Sequence, residues 1–399
     1  MTPAFLPISG LRLGCAAAGI RYRNRNDLVA IELAPGATCA AVFTRNAFCA
    51  APVVVARENL GDAMPRYLLV NSGNANAGTG EPGLAAAHES CRLLAAAAGC
   101  RREEVLPFST GVIGEPLPVE RIGAALPALL DDLAEDGWPR AADAIMTTDT
   151  VRKLVSREAI VGGAAIRVTG MAKGAGMICP DMATMLAFVA TDATVPGALL
   201  ERCLAQAVAP SFNAITVDGD TSTNDACVLV ATGGSGVVVD AADSPAGRAL
   251  FEAVRDVCIA LARAIVQDGE GATKLVEIVV EEARDGEEAR RVAYTIAHSP
   301  LVKTALYASD PNWGRILAAV GRAGVADLGI RGVRIWLDDV RIVRDGGRDP
   351  DYTEAAGRAA LAKAELTIRV ALGRGQARER LLTCDLSVDY VKINAEYRT

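Results

Sequence analysis

Histidine and aromatic residues are scarce in this chain of 399 residues, and the scarcity restricts the chemistry that the chain can perform. The sequence contains two histidines, His88 and His298, and 4% aromatic residues. Both histidines lie in or beside helix-like stretches, where packing or surface roles are commoner than catalysis. A Ser-His-Asp or Cys-His mechanism and a histidine-rich zinc site are therefore poorly supported, and we expect no bound metal.

Paired cysteines and long apolar runs are absent as well. The ten cysteines are scattered and never form a CxxC motif, a distribution typical of small core residues in a reducing compartment. No apolar run approaches the roughly 20 residues that span a bilayer, and the first residues lack the basic-then-apolar order of a secretory signal. We therefore expect a cytoplasmic protein without a membrane partner.

The sequence also lacks long blocks of charge of one sign. Its 41 basic and 48 acidic residues are mixed along the chain and sum to a net charge of −7, which argues against nucleic acid as the main partner. Apolar residues, by contrast, make up 51% of the chain, and there are 38 glycines. This composition suits a large core of closely packed helices and sheets in one large or two smaller domains.

The order of apolar patterns predicts an α/β (α+β) fold. Strands without an intervening helix are as frequent as βαβ units, so layered sheets flanked by helices fit better than a doubly wound sheet. One long helix is predicted over 244–266, where apolar residues recur at helical spacing: Leu250, Val254, Val257, Leu261 and Ile265. A charged stretch after Lys274 indicates that a smaller C-terminal domain begins at about residue 283.

The segment Lys173–Leu186, KGAGMICPDMATML, contains a candidate nucleophile. Flexible glycines and then Pro-Asp-Met precede Ala183 and Thr184, and the threonine hydroxyl can reach the Ala183 carbonyl. If that peptide bond breaks, Thr184 carries both a nucleophilic hydroxyl and a base, its own α-amine with an unperturbed pKa of about 7.7–8.0. The residues alone leave a second interpretation open, in which Gly-Ala-Gly is a hairpin loop and Thr184 an ordinary strand residue.

This segment resembles the self-cleavage segment of the ornithine acetyltransferase family of arginine biosynthesis. Further blocks resemble that family in its own order and span nearly the whole chain: STGVIGEPLP (Ser109–Pro118), IMTTDT (Ile145–Thr150), FNAITVDGDTSTND (Phe212–Asp225), QDGEGATK (Gln267–Lys274), SDPNWGR (Ser309–Arg315) and NAEYRT (Asn394–Thr399). The resemblance implies a self-cleaved enzyme of the N-terminal-nucleophile type, with an αββα sandwich core and a smaller mixed α/β C-terminal domain.

Cleavage between Ala183 and Thr184 is implied by the same resemblance. It would give fragments 1–183 and 184–399, with the core continuing to about residue 282 and the smaller domain following at about 283–399. The two fragments are expected to remain associated, as an α2β2 heterotetramer.

The resemblance also assigns site residues. Thr184 is implied as the nucleophile, and Thr110 and Gly111, in a predicted turn after the strand-like VLPF, match the family's oxyanion hole. The positions that match its substrate contacts are Thr147, Lys173, Thr184, Glu270, Asn394 and Thr399. These types suit an amino acid, because Lys173 can bind a carboxylate and Glu270 an ammonium group. Lys173 can also lower the pKa of the new amine by like charge.

The implied reaction moves acetyl from N-acetylornithine to glutamate through an acetyl ester on Thr184, with no bound cofactor. Some members of the family also accept acetyl-CoA, and no residue here decides whether this chain does.

Two alternatives remain open. A self-cleaving aminopeptidase or amidase would release free acetate. A non-catalytic amino-acid-binding protein would use NSGNANAGTG (Asn71–Gly80) and VDGDTSTND (Val217–Asp225) as ligand loops, whereas in an enzyme these loops line or brace the active site.

Overall fold

The structure, a computed structural model, describes residues 5–179 and 185–396. Three residues singled out above, Ala183, Thr184 and Thr399, lie outside the described residues. The chain folds into two compact units, Met1–Asn213 with Asp220–Ile265, and Ala214–Gly219 with Val266–Thr399. These units differ from the expected cleavage fragments, because the first unit contains strands from both sides of the Ala183–Thr184 bond.

Strands and helices of the first unit alternate along the chain. The strands are β1 (Leu11–Ala16), β2 (Leu28–Leu33), β3 (Thr38–Phe43), β4 (Tyr67–Asn74), β5 (Val105–Val112), β6 (Lys153–Val161), β7 (Ala164–Lys173), β8 (Leu186–Thr191) and β9 (Ala226–Ala231). The helices are α1 (Ala51–Asp62), α2 (Gly80–Ala98), α3 (Val119–Asp131), α4 (Trp138–Ala144), α5 (Gly197–Val208) and α6 (Pro245–Gln267).

Two sheets face each other in the first unit. One has the order β1-β2-β4-β5 and the other the order β3-β9-β8-β7-β6. Because side chains alternate across a strand, each sheet can present one apolar face to the other. These faces meet in a shared core, where the rings of Phe108 and Phe188 lie edge to face with centroids 5.2 Å apart. Edge-to-face contact is a favourable geometry for aromatic pairs.

Helices cover the outer faces of both sheets. On the first sheet, Leu94 of α2 and Leu126 of α3 lie in a second apolar core with residues of β2, β4 and β5. On the second sheet, Gly170 of β7 lets α6 approach so closely that a Cβ at this position would lie 2.9 Å from a methyl group of Val257. The first unit is therefore a layered αββα sandwich, which confirms the expected core.

Strands from both sides of the expected cut interleave in the second sheet. Strands β3, β6 and β7 precede Thr184, whereas β8 and β9 follow it. Lys173 at the end of β7 pairs with Leu186 at the start of β8, and Leu186 pairs in turn with Ala226 of β9. Strand β9 also pairs with β3 along six residues. The sheet thus joins the two sides of the cut through several strand pairs.

The second unit is a mixed sheet packed against helices. Its elements are β10 (Leu275–Ala283), α7 (Gly286–Ala297), α8 (Pro300–Tyr307), α9 (Trp313–Gly321), β11 (Arg334–Leu337), β12 (Val340–Arg344), β13 (Gly347–Arg348), α10 (Glu354–Leu361), β14 (Glu365–Ala371), β15 (Ala377–Cys384) and α11 (Val388–Ala395). The strand order is β13-β12-β11-β14-β10-β15, and helices α7 to α10 contribute to its apolar core. Within the described ranges, no helix is both long and apolar enough to cross a membrane.

The main segment of the second unit starts at Val266, earlier than the change in composition near residue 283 suggests. The reason is strand β10, which precedes the charged stretch. It pairs with β14 and β15 and buries Val276, Ile278 and Val280 in the core of the second unit. Composition cannot assign such a strand, because its apolar residues would suit either core.

Most cysteines lie in the interior, as their apolar neighbours predict. The buried ones are Cys15, Cys39, Cys91, Cys203, Cys227, Cys258 and Cys384, and the partly exposed ones are Cys49, Cys100 and Cys179. Burial raises the pKa of Cys39 to about 12, so its thiolate is scarce at neutral pH. The seven buried cysteines are packing residues.

Candidate active site

A buried lysine of one sheet bonds to a buried threonine of the other. Lys173 ends β7, and its Nζ donates to Oγ1 of Thr110 in β5 at 3.1 Å. An ammonium group can only donate, so the Thr110 oxygen accepts this bond and its own hydrogen is directed elsewhere. Thr110 is therefore held as a hydroxyl donor beside a positive charge, which is what an oxyanion hole requires.

Gly111, next to Thr110, occupies a position where a side chain does not fit. Its φ is +134°, and a Cβ would lie 2.2 Å from the carbonyl carbon of Gly73 and 2.6 Å from the nitrogen of Asn74. The approach is close because β4 and β5 pair in parallel, with Gly73 opposite Gly111 and a register shift at Asn74. Position 111 therefore requires glycine, whose backbone lies directly after the Thr110 donor.

The structure corrects the expected local conformation of this motif. The sequence predicts a turn at Ser109–Gly111, whereas β5 continues through these residues to Val112. The motif stays extended because the parallel partner strand β4 pairs with each of its residues. Serine and glycine favour turns, and the neighbouring strand overrides that preference.

An aspartate that the sequence interpretation did not single out contacts the predicted position Thr147 and the backbone of Gly174, directly after the predicted position Lys173. The side chain of Asp149, in the loop after α4, is fully buried, and its Oδ1 accepts from Lys153 Nζ at 2.6 Å and from the Gly174 N–H at 2.7 Å. Its Oδ2 accepts from the N–H of Thr147 at 3.1 Å. Burial alone would raise the pKa of Asp149, but the charges of Lys173 and Lys153 outweigh it and lower the pKa to about 2. Asp149 is therefore ionised at neutral pH.

Residues of both Gly-rich loops brace the strand end that carries the oxyanion-hole candidates. Asn224 donates from Nδ2 to the carbonyl oxygens of Ser109 at 2.9 Å and Ala75 at 2.6 Å. The Ser109 hydroxyl donates to Oδ1 of Asn71 at 2.6 Å. Backbone carbonyls inside a protein need such partners, and these bonds fix the position of β5.

A second acid is buried at the start of β8 and β9. Asp225 precedes Ala226, whose N–H donates to the carbonyl of Met185 at 2.9 Å, and Met185 is covalently joined to Thr184. Among the described residues, no group hydrogen-bonds to Oδ2 of Asp225. Burial raises the pKa of this carboxyl well above its usual range, against the lowering effect of hydrogen bonds and of the Lys173 charge. The site environment thus favours the neutral form of Asp225.

The second unit brings two predicted substrate contacts together. Asn394 in α11 donates from Nδ2 to Oε2 of the buried Glu270 at 2.8 Å and to the Tyr390 carbonyl at 3.0 Å. Gly271, with φ of +66°, leaves room for α11, since a Cβ there would lie 2.5 Å from the Tyr390 nitrogen. A carboxylate beside an amide suits the ammonium group of an amino acid.

The described residues thus place the predicted site residues in two groups. One group, in the first unit, comprises Thr110, Gly111, Thr147 and Lys173. The other, in the second unit, comprises Glu270 and Asn394. Sequence reasoning missed four residues that the structure adds: Asp149, Lys153, Asn224 and Asp225. Three of the four could have been found from the sequence, because they lie inside the blocks IMTTDT and FNAITVDGDTSTND that resemble the family.

A metal centre finds no support in the described part of the chain. Across residues 5–179 and 185–396, no group of three or more His, Cys, Asp or Glu side chains is arranged to hold a metal ion. The first group offers a hydroxyl at Thr110, backbone N–H groups and the cation of Lys173.

Known proteins resemble this chain over almost its whole length. The model of the ArgJ family matches residues 12–399. The arginine biosynthesis bifunctional protein ArgJ of Methylococcus capsulatus is 62% identical over 393 residues, covering 98% of this chain and 96% of that protein. The protein of the same name from Psychrobacter arcticus is 54% identical over 394 residues, covering 98% and 97%.

A solved structure of the arginine biosynthesis bifunctional protein ArgJ from Bacillus halodurans is also similar. It is 38% identical with a TM-score of 0.50, and the match covers 52% of this chain and 97% of the solved chain. Together with the family match over residues 12–399, these findings lead to one conclusion about membership. This chain belongs to the ArgJ family.

Proposed function

We propose that this protein is an acetyltransferase of arginine biosynthesis that moves an acetyl group from N-acetylornithine to glutamate through an ester on Thr184. The observation that carries the proposal is the contact of the Lys173 ammonium with Thr110 beside Gly111, in a member of the ArgJ family. Two relatives that match nearly the whole chain are named bifunctional proteins of arginine biosynthesis.

The proposed first step is maturation of the chain. Oγ of Thr184 adds to the carbonyl carbon of Ala183, the carbon–nitrogen bond between the two residues breaks, and water hydrolyses the resulting ester. The solved chain from Bacillus halodurans supports a two-fragment protein, because 97% of it aligns with 52% of this chain. One fragment of a chain cut near its middle would give such a match.

Acetyl transfer follows in two steps. The α-amine of Thr184 takes the hydroxyl proton as Oγ attacks the acetyl carbonyl of N-acetylornithine, and the departing ornithine nitrogen receives that proton. The amino group of glutamate then attacks the acetyl ester, and Thr184 leaves as the free hydroxyl. In both steps the Thr110 hydroxyl and the Gly111 N–H stabilise the tetrahedral oxyanion, and one such donor contributes about 10²–10³ in kcat.

The other predicted residues suit the charged ends of the amino-acid substrates. Lys173 attracts a carboxylate or the developing oxyanion, and Glu270 attracts an ammonium group. Thr147, Asn394 and Thr399 complete the proposed substrate contacts, and Thr399 lies outside the described residues. Acetyl-CoA enters the proposal as a second donor to be tested, since the relatives are named bifunctional. The scheme needs no bound cofactor.

We also propose that the two fragments stay associated as an α2β2 assembly in the cytoplasm, without nucleic acid or membrane partners. Support comes from the second sheet, in which β9 lies between β3 and β8 and so joins both sides of the cut. The mixed charges of the sequence, 41 basic and 48 acidic, support the absence of a polyanionic partner.

The test starts with intact masses of the wild type and of Thr184→Ala under denaturing conditions. We expect two fragments from the wild type, the second beginning with Thr184, and one uncut chain from the variant. Cleaved protein should then form N-acetylglutamate and ornithine in equal amounts from N-acetylornithine and glutamate. A folded wild type that stays whole would overturn the mechanism, and release of free acetate would identify a hydrolase instead.

A further inference from the structure

We propose that Asp149 is a positioning residue of the acyl-transfer site: its oxygens fix the backbone at Thr147 and at Gly174, directly after Lys173, and place a buried negative charge near the Lys173 ammonium. The inference rests on the proposed function, since Asp149 binds the backbone of Thr147 and of the residue after Lys173, and both Thr147 and Lys173 are proposed substrate contacts. It adds a residue that does not itself touch the substrate.

The contacts of Asp149 connect separate parts of the site. Its two oxygens accept from Lys153 Nζ at 2.6 Å, from the Gly174 N–H at 2.7 Å and from the Thr147 N–H at 3.1 Å. The side chains of Asp149 and Lys153 are both 0% exposed, so water does not compete for these bonds. Bonds to an ionised acceptor in such a place are stronger than bonds between neutral groups.

The bond to Gly174 fixes an unusual part of the backbone. Gly174 has a φ of +148°, and a Cβ there would lie 3.0 Å from Ile178 and 3.4 Å from Met185. Non-glycine residues rarely adopt this conformation, and it persists only where the surroundings enforce it. Asp149 helps to hold Gly174 in this conformation, because it binds the Gly174 N–H directly after Lys173.

Charged groups from several elements act on Lys173. Asp149 follows α4, Lys153 starts β6, and Asp225 precedes β9. The Lys173 charge lowers the pKa of Asp149, and because the interaction of two charges is mutual, Asp149 favours the charged form of Lys173 to the same extent. Lys153 opposes it by like charge. Burial raises the pKa of Asp225 and so weakens its attraction for the Lys173 ammonium, whereas the pKa of Asp149 is lowered to about 2.

A simpler explanation would make Asp149 only the ion-pair partner of Lys153. Under that explanation, removing either residue would weaken the fold and leave the titration of Lys173 unchanged. The proposal requires opposite effects. Asp149→Asn removes a negative neighbour of Lys173 and lowers its pKa, whereas Lys153→Met removes a positive neighbour and raises it.

The chain suits a direct measurement because it contains only six lysines. Protein with ¹³C at lysine Cε is titrated by NMR through the alkaline range, and the Lys173 signal is assigned by its loss in Lys173→Arg. We expect the Lys173 pKa to fall by roughly one unit in Asp149→Asn and to rise in Lys153→Met. The alkaline limb of the pH–rate profile for acetyl transfer should move in the same directions.

A matched control lies six residues before Asp149. Asp143 pairs with Arg152 through two bonds of 2.8 and 2.6 Å, but both side chains are well exposed, so Asp143→Asn should leave the Lys173 titration unchanged. Lys153→Met keeps the test informative if Asp149→Asn does not fold. An unchanged Lys173 titration in either variant, or shifts of one sign in both variants, would overturn the inference. Because the titration needs no turnover, it stands apart from any failure of acetyl transfer.

Discussion

The Thr110 hydroxyl is the residue-scale feature on which the proposed chemistry most depends. Lys173 donates to its oxygen, which leaves the hydroxyl hydrogen for a developing oxyanion. We predict that Thr110→Ala lowers kcat by about 10²–10³ with a smaller effect on KM, because the donor acts mainly in the transition state. Steady-state kinetics on fully cleaved protein measures this effect.

Serine provides the matched control at this position. Thr110→Ser keeps the hydroxyl and should retain most of the wild-type kcat. Equal losses of kcat in the Ala and Ser variants would contradict a donor role and point to packing at β5 instead.

Because Asp225 is buried, we predict that it makes the folding stability of the protein depend on pH. Its pKa is raised in the folded state, so its contribution to folding is present below the unfolded pKa and is lost as pH rises through the folded pKa. Asp225→Asn mimics the neutral form at every pH. We therefore expect the Tm of the variant, relative to wild type, to increase from acidic to mildly alkaline pH. If the difference in Tm between Asp225→Asn and wild type does not change with pH, Asp225 does not cause a loss of stability at rising pH.

Helix α11 and the loop before β10 meet at Gly271, and their contact is a feature of the element scale. A Cβ at Gly271 would lie 2.5 Å from the Tyr390 nitrogen and 2.6 Å from Oγ of Ser387. We predict that Gly271→Ala displaces α11 and separates Asn394 from Glu270. The expected result is a KM for the amino-acid substrate raised by about tenfold, the effect of losing roughly 1.4 kcal/mol of binding, with kcat changed less.

A variant at Gly324 serves as the control that distinguishes displacement of α11 from backbone strain. Its φ of +68° is close to the +66° of Gly271, but a Cβ at Gly324 would meet no atom within 4 Å. Gly324→Ala should therefore cost about 1 kcal/mol of stability through its positive φ and leave KM unchanged. A rise in KM in both variants would mean that general destabilisation, and not α11, controls substrate binding.

Local patterns predict elements well where the pattern is long. The apolar repeat over 244–266 predicts a helix, and α6 extends over Pro245–Gln267 with Leu250, Val257 and Leu261 fully buried. The motif Ser109–Gly111 shows the opposite case. Its residues favour a turn, but pairing with β4 keeps them in β5. A strand that depends on a partner distant in the sequence cannot be recognised from local preferences.

At the scale of the whole molecule, we expect the second sheet to hold together the two fragments that the proposed cleavage would give. Strand β9 from the later part of the chain lies between β3 from the earlier part and β8. Separation of the fragments would break these strand pairs and expose the core between the sheets. We predict that cleaved protein elutes as one species in native size-exclusion chromatography and that its fragments separate only in denaturant. Fragments that part under native conditions would contradict the interleaved sheet.

The family, the candidate nucleophile and the layered α/β class could be inferred from the sequence, because blocks of neighbouring residues and their periodicity carry this information. Which side chains meet could not be inferred in this way, because it depends on the tertiary fold. Lys173 and Thr110 are 63 positions apart and come together only because two sheets pack face to face. The tertiary structure also buries Asp149 and Lys153 together as an ion pair. Such contacts depend on long-range pairing and on exclusion of water, which no local pattern records.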